Sequence, residues 1–214
     1  MKNKHIAFIM DGNRRFGKKH NQSECSAYQT GAKKISEILD YLKDKFEYIS
    51  FWVLSKANNI RDLSALRSSV DEDEEMEYIS RNFKCYFIGD IENLEIKFKE
   101  KIKKLEKINN EIKNFKNSSI LSFFVNYSGS FEMECAMEKT IKNKEINLNF
   151  ETIKKNSLTE FLPDINILIR TGERQRLSDF SFFFNDFFRN LFFKVIMARI
   201  SNKRINGNSS KLSK

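Results

Sequence analysis

The sequence predicts a single α/β domain in which a central, mostly parallel sheet is flanked by helices, and three observations carry that expectation. Short apolar runs alternate along the chain with segments of helical periodicity, the order that parallel β-α-β construction requires. Two of these runs end abruptly on turn residues, at Asp11-Gly12-Asn13 and at Gly89-Asp90. The 214 residues, 40% hydrophobic and including 21 Phe, suffice for one substantial core and are few for two.

Residues 5–10 (HIAFIM) are apolar almost throughout and read as a buried first strand. From 31 to 42 the residues Ile35, Ile38, Leu39 and Leu42 recur at helical spacing. Residues 48–54 are strand-like again, and the stretch 55–62 after them is polar. Residues 71–77 are acidic, with Met76 and Ile79 as a weak apolar face, and suit a solvated loop or a helix start. A third strand over 83–88 precedes a long helix over 92–116, because Leu94, Phe98, Ile102, Leu105, Ile108 and Ile112 mark one face among lysines and glutamates. A fourth strand over 120–125 and a helix over 131–141 follow. The only proline, Pro163, precedes a strand at 165–169 that delivers Arg170 at its C-terminal end, where ligands of open α/β sheets bind. Residues 1–200 are assigned to the domain, and 201–214 are expected to be a polar, basic, disordered tail.

The formal net charge of +9 attracts anions without choosing among nucleic acid, anionic lipid and diphosphate. Because the basic residues are diffuse and not interleaved with aromatics, a nucleic-acid partner is not expected. Cys25, Cys85 and Cys135 lie far apart with no CxxC spacing, which predicts reduced thiols in a cytoplasmic protein rather than disulfides or a zinc site. Two histidines exclude a His-rich metal centre. Dinucleotide, phosphate-loop, nucleophile-elbow and zinc-helix motifs are all missing. The apolar stretch 5–10 is shorter than a signal-peptide core, and no window reaches the roughly 18 to 20 apolar residues of a membrane span. At most peripheral membrane contact is expected.

Two segments carry chemistry. In residues 10–19 (MDGNRRFGKK) a carboxylate at a strand end meets a tight turn and two arginines. Asp11 offers a hard oxygen for Mg²⁺, Gly12 permits close backbone approach, and Arg14 and Arg15 add charge-assisted bonds to an anion. An ordinary charged turn is the alternative. In residues 169–180 (IRTGERQRLSDF), Arg170, Arg176 and Ser178 converge on one diphosphate if the chain turns between them. The competing reading is a basic loop paired internally with Glu173 and Asp179.

HIAFIMDGNRRFGKK resembles the opening signature of the cis-prenyltransferases, the undecaprenyl diphosphate and dehydrodolichyl diphosphate synthases. PDINILIRTGERQRLSDF resembles their second signature, and FIGD at 87–90 and FVNYSGS at 124–130 resemble landmarks between the two, in the same order. The resemblance spans roughly residues 4–193. It implies the fold of that family and condensation of an allylic diphosphate with isopentenyl diphosphate, usually by a Mg²⁺-dependent homodimer, with a heteromer as the alternative. It makes Asp11 the catalytic, metal-binding carboxylate. Gly12, Asn13, Arg14 and Arg15 would cradle the allylic diphosphate, with Phe16 beside them. Ser55, Asn58 and Arg61 fall on the family's S..N..R pattern, with Asn58 implicated in proton removal and Arg61 in allylic diphosphate binding. Arg170, Arg176 and Ser178 match the group that holds isopentenyl diphosphate. Phe16, Phe51, Trp52 and Leu54 are candidates for keeping water from the allylic fragment, with packing as the default role of each.

The chain also departs from the pattern. Glu24 and Tyr28 stand where the family has an arginine and a histidine, SxENW becomes Ser55-Lys56-Ala57-Asn58-Asn59, and Arg174 occupies a glutamate position. Asn190, or Arg189 without a gap, takes the slot of a metal-site glutamate, which leaves Asp186 as a candidate substitute. The region after Arg61 is short where the family lines its product tunnel. These departures imply a divergent enzyme with a short or unconventional product, or alternatively a non-catalytic diphosphate-binding or partner subunit.

Overall fold

Apolar runs without polar alternation suit strands covered on both faces, and the computed structural model places them so. It describes residues 4–21, 23–57, 73–172, 174, 176–180, 183 and 189–193. Six strands, β1 His5–Ile9, β2 Tyr48–Trp52, β3 Lys84–Ile88, β4 Ile120–Phe124, β5 Ile167–Thr171 and β6 Arg189–Phe193, form one sheet. Their order is β3-β4-β2-β1-β5-β6, and every pairing is parallel. Among the described residues the helices are α1 Asn13–Lys19, α2 Glu24–Leu42, α3 Asp73–Asn82, α4 Ile96–Glu111, α5 Gly129–Lys142 and α6 Phe150–Lys155. None of the described helices is long and apolar enough to cross a membrane. The expected tail at 201–214 lies outside the described residues.

Several boundaries differ from the sequence reading for local reasons. The Ser23 hydroxyl accepts the Ser26 N–H and caps α2, so that helix begins at Glu24 rather than near Gly31. The acidic run proves to be a helix start, because α3 continues to Asn82 and buries Ile79. A short 3₁₀ turn at Ile91–Asn93 leaves Leu94 extended and buried, which delays α4 to Ile96. Strand β5 starts at Ile167 because Asn166 is engaged sideways with His5: its side chain accepts the His5 N–H at 2.7 Å and its own N–H donates to the His5 carbonyl at 2.9 Å. The segment RNLFF, read only as a motif slot, is the sixth strand.

The two sheet faces have different packing. Phe8, Phe51, Phe123 and Phe87 occupy one register row across β1, β2, β4 and β3. Their rings stack at centroid distances of 5.2, 5.8 and 5.5 Å. Ile35, Ile38, Leu39 and Leu42 of α2 and Ile79 of α3 close over that row. On the opposite face Ala7, Ile9, Trp52, Phe124 and Leu168 meet Tyr127, Leu162, Ile165 and Phe180. A buried asparagine locks one edge: Asn109 of α4 donates to the carbonyls of Ser80 and Phe83 at 2.9 and 2.7 Å and accepts the Cys85 N–H at 3.2 Å.

His5 is fully buried at the start of β1. Its Nδ1–H donates to the Pro163 carbonyl at 2.8 Å, which leaves Nε2 to accept from the Ser50 hydroxyl at 2.8 Å. Burial lowers its pKa from 6.5 to about 4, against the opposing pull of the Pro163 carbonyl and the Asp164 charge. The unfolded chain thus binds a proton between pH 6.5 and 4 that the folded chain refuses. The contribution of His5 is complete above pH 6.5 and falls by about 3 kcal/mol as the pH drops to 4. Glu132 acts in the opposite sense, since burial raises its pKa despite hydrogen bonds from Thr159 and Tyr127. Its contribution is present below the ordinary carboxylate pKa and is lost as pH rises through its folded value. Urea denaturation at pH 7, 5.5 and 4 of the wild type and His5→Gln separates the two groups. The difference between the two proteins should narrow toward pH 4, and a pH-independent difference would contradict this assignment.

Candidate active site

The C-terminal ends of β1, β2 and β5 converge on a cleft of about 260 Å³, the place where open parallel sheets bind ligands. Ile9, Met10 and Asp11 line it from β1, and Trp52, Val53, Ser55 and Ala57 from β2 and the turn beyond. Ser128 lies at the start of α5, and Arg170, Arg174, Arg176, Ser178 and Asp179 complete the wall after β5. The structure therefore brings together Asp11, Ser55, Arg170, Arg176 and Ser178 from the predicted set.

Asp11 is the centre of this arrangement. Its Oδ2 accepts from Arg170 Nη2 at 2.9 Å and its Oδ1 from Arg15 Nη2 at 3.2 Å. Strand pairing explains the first contact, because Ile9 lies opposite Arg170 and Asp11 follows just past the strand end. Thr171 fixes the carboxylate's backbone, accepting the Asp11 N–H at 2.9 Å and donating to the Asp11 carbonyl at 2.8 Å. Burial alone would raise the Asp11 pKa, but hydrogen bonds and charge from Arg170, joined by Arg15, hold the carboxyl below its ordinary range. Gly12, at φ +102°, turns the chain from the strand into α1.

Arg170 is only 5% exposed. Its Nη1 donates to the Arg176 carbonyl and, at 2.9 Å, to Ser178 Oγ, while its Nε has no hydrogen-bond partner among the described residues. Most buried N–H groups in folded proteins are satisfied, so this donor marks a place for an acceptor. The cleft walls hold three guanidinium groups, from Arg170, Arg174 and Arg176, against the carboxylates of Asp11 and Asp179. That balance suits a multiply charged anion.

Ser55 is held by a parallel bridge to Tyr127. The next residue, Lys56, donates its N–H to the Tyr127 carbonyl at 2.9 Å and sends its ammonium to buried Asp90 at 2.7 Å. Strand alternation separates the apolar candidates. Phe51 belongs to the buried Phe row, Leu54 packs with Leu94 and Ile102, and Trp52 lines the cleft with its ring 5.2 Å from Phe180. Asn58, Arg61 and Asp186 lie outside the described residues, as do the side chains of Asn13, Arg14, Phe16, Arg189 and Asn190. The register places Asn190 opposite Leu168, two residues before the level of Arg170.

Sequence reasoning overlooked Thr171, which is adjacent to Arg170 in the same motif and carries a hydroxyl at a strand end. The sequence offers Asp179 only as a partner for the basic loop, whereas its carboxylate meets Ser130.

The Asp11 carboxylate fits Mg²⁺ in one specific way. Each oxygen accepts one guanidinium bond and keeps further lone-pair capacity, and the group faces the cleft. Among the described residues no three His, Cys, Asp or Glu side chains stand together. A metal held by one carboxylate, substrate phosphates and water is a normal arrangement for Mg²⁺.

A parallel sheet with a carboxylate clasped between guanidiniums at its ligand-binding end defines an α/β domain built to hold a polyanion. The sequence pattern of the prenyltransferase family described as putative undecaprenyl diphosphate synthase matches residues 9–203, and the chain belongs to this cis-prenyltransferase family as a divergent member. It is 27% identical over 207 residues to an isoprenyl transferase of Helicobacter pylori, covering 91% of this chain and 86% of that protein. It is 30% identical over 185 residues to an isoprenyl transferase of Fusobacterium nucleatum, covering 83% and 78%. The crystal structure of lavandulyl diphosphate synthase from Lavandula x intermedia, in complex with dimethylallyl diphosphate, has the same fold at TM-score 0.85 and 18% identity, covering 97% of this chain and 94% of that one. A probable undecaprenyl diphosphate synthase from Campylobacter jejuni matches at TM-score 0.75 and 21% identity, covering 99% and 95%.

Proposed function

We propose that this chain is a divergent Mg²⁺-dependent prenyltransferase that condenses a small allylic diphosphate with isopentenyl diphosphate or with a second allylic diphosphate. It releases pyrophosphate and a short or unconventional isoprenoid. The observation that carries the reading is Asp11 clasped between Arg15 and Arg170 at the mouth of the cleft. In the reaction the allylic C–O bond breaks with its electron pair on pyrophosphate, a C–C bond forms, and the acceptor loses a proton. Asp11 would hold Mg²⁺, which supplies charge neutralisation for the departing diphosphate. Gly12, Asn13, Arg14, Arg15 and Arg61 cradle that diphosphate, while Arg170, Arg176 and Ser178 orient the acceptor. Asn58 directs the acceptor's proton to the released pyrophosphate, the base the reaction itself supplies, and Ser55 lines the cleft. Preorganised donors of this kind stabilise charge where it develops, and Trp52 and Ile9 shield the cationic fragment from water.

Packing supports a short product, because the sheet face under α2 is filled by the Phe row, with Phe8, Phe51 and Phe123 at most 2% exposed. The lavender enzyme of the same fold, captured with dimethylallyl diphosphate, supports the choice of a five-carbon substrate. A cytoplasmic homodimer, or a heteromer, is part of this reading. Cys85, whose thiol is pushed up to about 12 by burial, fits a reduced packing cysteine. The second reading, a non-catalytic diphosphate-binding or partner subunit, is favoured by Asn190 standing in the slot of a metal-site glutamate.

One experiment separates the two. The purified protein is incubated with Mg²⁺ and dimethylallyl, geranyl or farnesyl diphosphate, with and without isopentenyl diphosphate, and products are identified by mass spectrometry. Emission of Trp52, the only tryptophan, is followed in parallel. Turnover with the five-carbon substrate supports the enzyme. A saturable change in emission with no product from any pair supports the binding subunit.

A further inference from the structure

Ser178 and Asp179 both have positive φ, 55° and 65°. Residues other than glycine visit that left-handed region singly rather than in succession, and such a pair persists where its surroundings hold it. Here the first turn of α5 does so. The Gly129 N–H donates to the Asp179 carbonyl at 2.7 Å and the Ser130 N–H to Asp179 Oδ1 at 3.2 Å. The Ser130 hydroxyl lies 3.1 and 3.0 Å from the two carboxylate oxygens. These amides have no partner within their own helix, and the helix dipole favours a carboxylate there.

The neighbouring contacts lead back to the catalytic carboxylate. Ser178 Oγ accepts from Arg170 Nη1 at 2.9 Å, and Arg170 Nη2 lies 2.9 Å from Asp11. Ser178, Asp179, Arg170 and Asp11 all line the cleft. Asp179 is thus a negative group on the wall of an anion site, where its charge opposes substrate binding unless its role lies elsewhere. Its contacts show that role: the carboxylate satisfies α5 and fixes the backbone that presents Ser178.

We infer that Asp179 is a positioning residue, which pins the loop after β5 to the start of α5 and so holds Ser178 and Arg170 in the geometry that receives a diphosphate. The inference rests on the diphosphate reading of the cleft, and its test tells the two apart. Calorimetric titration of the full chain with inorganic pyrophosphate is compared for wild type, Asp179→Gly, Asp179→Asn and Ser130→Ala, with thermal melts to establish that each is folded. Glycine keeps the left-handed backbone and removes the carboxylate, so affinity should fall about tenfold, the scale of a lost charge-assisted hydrogen bond. Asparagine keeps an acceptor for Ser130 and should stay within about threefold of wild type. Ser130→Ala should lose about threefold and carries the test if the glycine variant does not fold. In turnover assays Asp179→Gly should raise KM for the diphosphate acceptor while kcat stays within about threefold. Unchanged affinity in Asp179→Gly or, where that variant is unfolded, in Ser130→Ala overturns the inference alone, as does an asparagine variant as weak as glycine. A wild type that binds no pyrophosphate overturns the diphosphate reading, and the inference with it.

Discussion

Asp11→Ala is expected to lower kcat/KM by at least about a thousandfold, which corresponds to roughly 4 kcal/mol of lost transition-state stabilisation. The same substitution should weaken the fold. Arg170 is 5% exposed, and its Nη2 has Asp11 as an ion-pair partner. Removing one member of such a pair strands the other charge, at a cost of about 3–5 kcal/mol when both are buried. Asp11 is 27% exposed, so about 2 kcal/mol is the appropriate scale here. Asp11→Asn separates the two effects. Its amide oxygen still accepts from a guanidinium, and most of the stability should return, while the missing charge leaves activity low. Product analysis and urea denaturation of both variants check this, and an asparagine variant with wild-type turnover would remove Asp11 from the chemistry.

Much of this architecture was legible in the chain because parallel strands buried on both faces leave an unmistakable record. The apolar run HIAFIM and the turn Asp11-Gly12 announce β1 and the site in the same few residues. Arg170 was legible for a related reason: a charged residue ending an apolar run has to point into a ligand-binding end or a costly core. Polar contacts made across long sequence distances left no comparable mark. Nothing periodic distinguishes Asn109, yet its three hydrogen bonds tie α4 to the end of α3, to Phe83 and to the start of β3. Asn166 similarly delayed β5 by engaging His5. Alternation did decide which apolar candidate faces the cleft, but only once the register fixed Phe51 on one side and Trp52 on the other. Asp179 was hardest to foresee, because its partner is Ser130, a residue supplied by another landmark altogether.

Gly89→Ala carries the largest expected effect on folding. Gly89 ends β3 at φ +142°, and a Cβ there would lie 1.9 Å from the Val125 carbonyl oxygen and 3.0 Å from its carbon. That carbonyl belongs to a fixed backbone, since the Val125 N–H donates to Ile88 at 2.9 Å and the Asp90 N–H to Asn126 at 3.2 Å. Relief would require parting the ends of β3 and β4. Asp90 would move as well, and with it the Lys56 contact that steadies Ser55 beside the cleft. A loss above about 4 kcal/mol is therefore expected, most of the stability of a chain at the lower end of the ordinary range. Gly172→Ala makes an instructive contrast. Its φ is +93°, but the nearest atom to an added Cβ is Arg15 Nη2 at 2.8 Å, the far end of a flexible side chain. That variant should fold with a loss of about 1–2 kcal/mol and should bind diphosphate more weakly, because Arg15 is displaced from Asp11. Melting curves and pyrophosphate titrations distinguish the pair: one glycine acts through the fold, the other through the site. A Gly89→Ala protein melting within a few degrees of wild type would mean that the close approach between β3 and Val125 is not required.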